Sequence, residues 1–121
     1  MHPELPNVYK KVGQPILIGG SMGTYSYLLV GTETSRETFY STAHGAGRVM
    51  SRHEALKRKR GEEVKRDMEN RGIAIRSAGI KTIAEEADFA YKNVSDVVET
   101  CEKAGISNIV CRLKPLGVVK G

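Results

Sequence analysis

Gln14-Pro-Ile-Leu-Ile-Gly-Gly-Ser-Met-Gly-Thr-Tyr-Ser-Tyr-Leu-Leu-Val30 places two apolar runs on either side of a glycine-rich centre. Branched and aromatic runs bounded by glycine read as strands, and glycine clusters read as turns. The stretch predicts a strand over 14–18, a glycine turn over 19–24 and a strand over 25–30. A loop over 31–35 follows, then a third strand over 39–43. That strand runs into a second small-residue turn, Ser41-Thr-Ala-His-Gly-Ala-Gly-Arg48. Two glycine-rich loops that each follow a strand bring backbone N–H groups to strand ends, where they suit anions. Neither is a P-loop, because no Gly-Lys-Ser or Gly-Lys-Thr closes the run.

Further along, Ser51 and Glu54 form a capping box at the start of a helix over 52–60. Gly61 is expected to break it. A second helix over 62–71 stops at Gly72, with Val64 and Met68 on its buried side. A strand over 73–75 follows. Thr82 and Glu85 predict another capping box, opening a long amphipathic segment. Its apolar positions are Ile83, Ala87, Ala90, Tyr91, Val94, Val97, Val98, Cys101 and Ala104, which share one face. Asn93 or Ser95 could restart it as two helices, and Gly105 ends it. A strand over 109–113, a break at Pro115 and an apolar run over 116–119 complete the chain. Strands with interspersed helices define an α+β domain, a mixed sheet of short strands with two to three helices.

At 121 residues the chain has room for a single domain, 1–121, with a real core. No apolar run reaches the roughly 18 residues of a membrane span. The first residues lack the basic-then-apolar order of a secretion signal. Cys101 and Cys111 follow no metal-finger spacing and are expected to be reduced, buried and structural. A cytoplasmic location follows. Net charge is +5, from 19 Lys and Arg against 14 Asp and Glu. Residues 48–71 hold nine basic and five acidic side chains, so this stretch alone is +4. It fits either a polyphosphate-binding block or a solvated helix face. It contains no aromatic residue, which argues against base stacking.

His44 is the residue most suggestive of chemistry. Glycines at 45 and 47 allow close approach of a bulky group, and Arg48 offers a charged fork suited to phosphate oxygens. The octapeptide fits two readings: a nucleophile or acid/base beside a phosphate, or a glycine turn with an incidental histidine.

Four motifs taken together resemble the C-terminal region of the RtcB family, GTP-dependent RNA ligases of tRNA splicing and RNA repair. They are Gly19-Gly-Ser-Met-Gly-Thr24 with Ser26, His44-Gly-Ala-Gly-Arg48 running on through Met50-Ser-Arg52, Ala84-Glu-Glu-Ala87 with Ala90-Tyr-Lys-Asn93, and Pro115-Leu-Gly-Val-Val-Lys-Gly121. The resemblance covers about residue 12 to the end and implies the C-terminal part of the larger RtcB-type fold. It further implies joining of an RNA 3′-phosphate, or a 2′,3′-cyclic phosphate after hydrolysis, to a 5′-hydroxyl. His44 matches the histidine that accepts GMP from GTP. Gly19, Gly20, Ser21, Met22, Ser26, Gly45, Ala46 and Gly47 match the GMP pocket, and Lys120 a lysine at the guanine edge. Arg48 and Arg52 are expected to serve phosphates, and Lys57 to Arg60 to guide RNA.

By the same resemblance, two Mn²⁺ ions are held by residues outside this chain, in an N-terminal portion. His2 and His53 lie outside the matching ligand motifs. The implied partners are RNA (tRNA halves or broken RNA), GTP, that N-terminal portion and an archease-type activator, with no membrane. The isolated chain is expected to be inactive or nearly so. The alternative is a stand-alone nucleotide- or RNA-binding module without catalysis.

Overall fold

The computed structural model describes residues 3–121, so His2 lies outside the described residues. Strands β1 (Pro15–Ile18), β2 (Ser26–Gly31) and β4 (Ser107–Leu113) form an antiparallel sheet in the order β1-β2-β4. β3 (Ala74–Ser77) and β5 (Gly117–Lys120) pair in parallel as a second, two-stranded sheet. Helices α1 (Arg52–Arg58), α2 (Gly61–Asn70), α3 (Ile80–Glu85) and α4 (Val94–Lys103) complete the α+β architecture. Among the described residues no helix is long and apolar enough to cross a membrane.

Two apolar cores result. Ile18, Tyr27 and Leu29 on one face of the three-stranded sheet pack with Val94 and Val98 of α4. Val64 and Met68 of α2 meet Ile75 of β3 and Ile83 of α3 in the other. Fully burying an aliphatic side chain contributes about 1.5–3 kcal/mol relative to leaving it in water, so each core is a substantial anchor. The 19–24 loop hangs between them. Ile18, just before it, belongs to the first core, and Met22, 2% exposed within it, plugs into the second.

Helix ends follow the local chemistry. Ser51 Oγ accepts from Glu54 N–H at 3.1 Å while the Glu54 carboxylate accepts from Ser51 N–H at 2.8 Å. These bonds to Ser51 hold the Glu54 carboxyl below its ordinary range. Gly72 and Gly105 take left-handed φ angles of 76° and 75°. Each helix closes with the paired bonds of a Schellman motif: Gly72 N–H to Glu69 O and Ile73 N–H to Met68 O, then Gly105 N–H to Glu102 O and Ile106 N–H to Cys101 O. Gly61, expected as a breaker, instead begins α2. A Cβ there would stand 2.0 Å from the carbonyl oxygen of Ile80, so the glycine permits α2 to cross the start of α3 closely.

Four expectations are corrected. Residues 39–43 are not a strand, and the loop predicted over 31–35 is partly helical: Glu33–Thr38 is a 3₁₀ helix, after which Phe39 and Tyr40 both take left-handed φ. Hydroxyls drive this turn. Ser35 Oγ donates to Thr32 O at 2.6 Å, and Thr38 Oγ1 to Ser35 O and Ser41 O at 3.0 and 2.7 Å, bonds that compete with a sheet ladder. The amphipathic segment after Thr82 is two helices, restarted at Asn93 as its sequence allows. It breaks over 86–93, and Asn93 caps α4 by accepting from Ser95 N–H. Thr82 caps nothing; it lies inside α3, whose N-cap is Gly79. Cys101 is buried as expected, but Cys111 is exposed, because its position on β4 turns it to the face away from α4.

Candidate active site between the two cores

Gly19 and Gly45 form a parallel bridge that lays the two glycine loops side by side. The His44 loop is tied on its far side to the break between α3 and α4. Lys92 N–H donates to Gly47 O at 2.9 Å, Val49 N–H donates to Ala90 O at 2.9 Å, and Arg48 bridges to Tyr91. These bonds explain why the amphipathic segment stops being helical there: its backbone groups serve the loop instead. β5 runs alongside β3 and delivers Lys120 to the same place.

A cleft of about 330 Å³ opens where these pieces meet. Gly19, Gly20, Ser21, His44, Gly45, Ala46, Gly47 and Lys120 all line it, as does Arg48. A neighbouring groove of about 240 Å³ shares Gly20, Ser21 and Lys120 and adds Ser26 and Met22. Met22 is buried in the core, so it reaches the groove only at its floor. Arg52 stands outside the cleft and touches it through Glu86.

His44 is exposed, and its ring makes no hydrogen bond among the described residues. Free ring nitrogens are what a nucleophilic imidazole needs. The opposite wall is tightly held. Gly20 N–H donates to Ser26 Oγ at 3.2 Å, and Ser21 N–H to Thr24 Oγ1 at 2.8 Å. A Cβ at Gly20 would stand 2.0 Å from Tyr25 O, so the loop closes this tightly only with glycine.

Glu86 gathers the cations of the site. Arg52 Nε lies 3.1 Å from its carboxylate, Arg48 Nη1 3.5 Å and Lys120 Nζ 3.9 Å, and the Tyr91 hydroxyl donates to it. Its side chain is 15% exposed. Burial pushes the Glu86 carboxyl up, but the Tyr91 hydroxyl, Lys120 and Arg52 outweigh this and hold it below its ordinary range. Tyr91 is raised by burial, then by the Glu86 hydrogen bond and charge. The Arg48 guanidinium stacks 4.8 Å from the Tyr91 ring centre and donates to Tyr91, Met50 O and Glu85 O. It therefore braces the cleft from behind. Among the described residues no group of three or more His, Cys, Asp or Glu stands together as a metal site.

Glu86 and Tyr91 line the cleft, yet the sequence assigns them no role there. Glu86 and Tyr91 fall within motifs that carry the family resemblance, which is the one signal that could have singled them out.

A cleft that joins two glycine loops, an open histidine and a lysine from the far end of the chain fits a protein that handles a nucleotide or phosphate ester. Over residues 1–121 the chain matches the family described as tRNA-splicing ligase RtcB, and it belongs to that family. It is 52% identical to a tRNA-splicing ligase RtcB of Pyrococcus abyssi, over 99% of this chain and 13% of that protein. It is 56% identical to RNA-splicing ligase RtcB homolog 2 of Entamoeba dispar, over 100% of this chain and 23% of that protein. It is likewise 56% identical to the tRNA-splicing ligase RtcB of Archaeoglobus fulgidus, over 98% of this chain and 25% of that protein. The chain thus spans a quarter or less of the relatives it matches.

Proposed function

We propose that this chain is the C-terminal portion of an RtcB-type RNA ligase and carries its nucleophile, His44. In this reading an unprotonated ring nitrogen of His44 attacks the α-phosphorus of GTP. The N–P bond forms as the bond to pyrophosphate breaks, and pyrophosphate leaves. An oxygen of the RNA 3′-phosphate then attacks that phosphorus, and the N–P electron pair returns to the imidazole. Finally the RNA 5′-hydroxyl oxygen attacks the activated 3′-phosphorus, its proton passes to solvent and GMP departs. A 2′,3′-cyclic end is first opened by water. Histidine suits the first step because its lone pair is free near neutral pH and the phosphoramidate is a reactive donor.

One observation carries this reading. Residues from three separated stretches, Gly19–Ser21, His44–Gly47 and Lys120, line one cleft. Backbone N–H groups of the His44–Gly47 loop would hold the phosphate, since those of Gly20, Ser21 and Gly23 already serve Ser26, Thr24 and Asp88, and the Lys120 ammonium would donate to the guanine edge. Arg48 and Arg52 supply positive charge behind the phosphates. Arg58 stacks on Phe89 and Lys59 pairs with Asp67, so Lys57 and Arg60 remain the better candidates to guide RNA. Reversing those two charges is expected to flatten the salt dependence of RNA affinity; an unchanged slope overturns the guiding role.

The Mn²⁺ ligands, in this reading, come from the N-terminal portion. The face of the three-stranded sheet away from α4 supports such a partner. Leu17 pairs with Leu28 and Leu28 with Cys111, while Leu17 is 76% and Leu113 49% exposed. Apolar rows like this are what a soluble chain covers. The assembled ligase is then a cytoplasmic enzyme, with an archease-type activator as a further partner. Radiolabelled GTP with Mn²⁺ tests the assignment. Label is expected only once the N-terminal portion is added, and none in His44→Ala. Strong label on the isolated chain would show that the residues present suffice.

A further inference from the structure

Asp88 lies outside the predicted site, in the break between α3 and α4, yet it is bonded to the glycine loop of the cleft. Its Oδ1 accepts from Ser21 Oγ at 2.5 Å and from Gly23 N–H at 2.8 Å. Its Oδ2 accepts from Arg71 Nη1 at 2.9 Å, and Arg71 Nη2 donates onward to Gly23 O. A Cβ on Gly23 would stand 2.4 Å from Asp88 Oδ2 and 2.5 Å from Arg71 Nη1, so a larger residue there would displace this ion pair. The loop is thus pinned from behind by a carboxylate, while Ser21 lines both the His44 cleft and the neighbouring groove.

A serine hydroxyl has one proton and two lone pairs. The Ser21 proton lies on Asp88, so only lone pairs face the cleft. Ser26 is the reverse case. Its oxygen already accepts from Gly20 N–H, and its proton is directed to no described residue. The two serines therefore present opposite polarity to a ligand. Turning the Ser21 hydroxyl toward a phosphate would break a charge-assisted bond, roughly twice as strong as a neutral one. It would also bring an anion toward the Asp88 carboxylate. A neutral O–H or N–H on the ligand costs neither.

We propose that Ser21, its proton fixed by the positioning residue Asp88, recognises a hydrogen-bond donor of the nucleoside, a ribose hydroxyl or the exocyclic amino group of the base, and not a phosphate oxygen. This rests on the nucleotide reading of the cleft. The two donor sources share one chemistry and are separated by analogues. 2′-Deoxy-GTP and 3′-deoxy-GTP remove one hydroxyl each, and inosine triphosphate removes the exocyclic amino group.

The test is guanylylation of the assembled ligase, with KM and maximal rate measured for GTP and the three analogues in wild type, Ser21→Ala and Asp88→Asn. Ser21→Ala should raise the KM for GTP about 2- to 12-fold, the range of one neutral hydrogen bond, with little change in maximal rate. One analogue should show a similar penalty in wild type and no further penalty in Ser21→Ala. Asp88→Asn should shrink that same analogue's penalty, whereas a merely structural Asp88 would weaken GTP and all analogues alike. Full, additive penalties for all three analogues in Ser21→Ala overturn the proposal. So does an effect of Ser21→Ala that depends only on the number of phosphates, read as inhibition of guanylylation by GMP against inhibition by GDP. A wild-type enzyme that takes no label from GTP would instead defeat the nucleotide reading, and this inference with it.

Discussion

The two walls of the cleft are built on different principles. The 19–24 wall is held by side chains and crowding: Asp88, Thr24 and Ser26 accept from its backbone, Gly20 leaves no room for a Cβ against the Tyr25 carbonyl, and one on Gly23 would displace the Asp88–Arg71 pair. The His44 wall is held chiefly by backbone bonds to Gly19, Ala90 and Lys92, with Arg48 braced behind it. Its glycines are open: a Cβ on Gly47 would meet nothing within 4 Å, and one on Gly45 only Gly19 O at 3.9 Å. A rigid wall can fix a ligand's orientation, while an open one leaves a reacting side chain and its incoming phosphorus room to move. The division suits a residue that must accept and release a group.

Substitutions can break this contrast. The largest stability effect is expected at Gly20→Ala, where backbone must shift to admit the methyl; a loss of about 1–3 kcal/mol or more is predicted by chemical denaturation. A variant as stable as wild type would mean that the 19–24 wall is not crowded. Gly47→Ala should cost less, about 1 kcal/mol, because only its left-handed φ of 74° is at stake. If Gly47→Ala proves the more damaging of the two, the comparison is reversed.

Glu86 sharpens the contrast by pH. Its folded pKa lies below its ordinary value of 4.5, so its contribution is fully present above that pH and is lost as pH falls through the lower folded value. Glu86→Gln should therefore lower the melting temperature near neutral pH, by an amount equivalent to about 1 kcal/mol. The gap to wild type should close under more acidic conditions. A gap that stays constant down to the acid limit would show that the carboxylate's charge is not what holds Arg48, Arg52 and Lys120.

What the sequence made legible was local. Ser51 with Glu54, Gly72 and Gly105 set helix ends within a few residues, and their signals were read correctly. The buried positions Ile83, Ala87, Ala90, Val94, Val98 and Cys101 were read correctly too, because burial follows periodicity even where the helix is broken. The restart at Asn93 was legible, but the length of the break was hidden because its cause is distant: the groups over 86–93 bond to the His44 loop and the 19–24 loop. Asp88 meets Ser21 across 67 positions, Arg48 meets Tyr91 across 43, and Arg52 meets Glu86 across 34. No window along the chain contains such pairs. Phe39-Tyr-Ser-Thr-Ala43 failed for another reason: strand-forming residues were overruled by neighbouring hydroxyls that bond to their own backbone.

The most direct test of the account is the position of the guanylate. After reaction of the assembled ligase with GTP and quenching at alkaline pH, peptide mapping by mass spectrometry should find one acid-labile guanylyl adduct, on the peptide containing His44. His44→Ala should fold as wild type, within about 0.5 kcal/mol, since the exposed ring makes no bond among the described residues, and should carry no adduct. An adduct on a lysine, on His53 or on another part of the ligase, persisting in His44→Ala, would contradict the assignment of His44 as nucleophile.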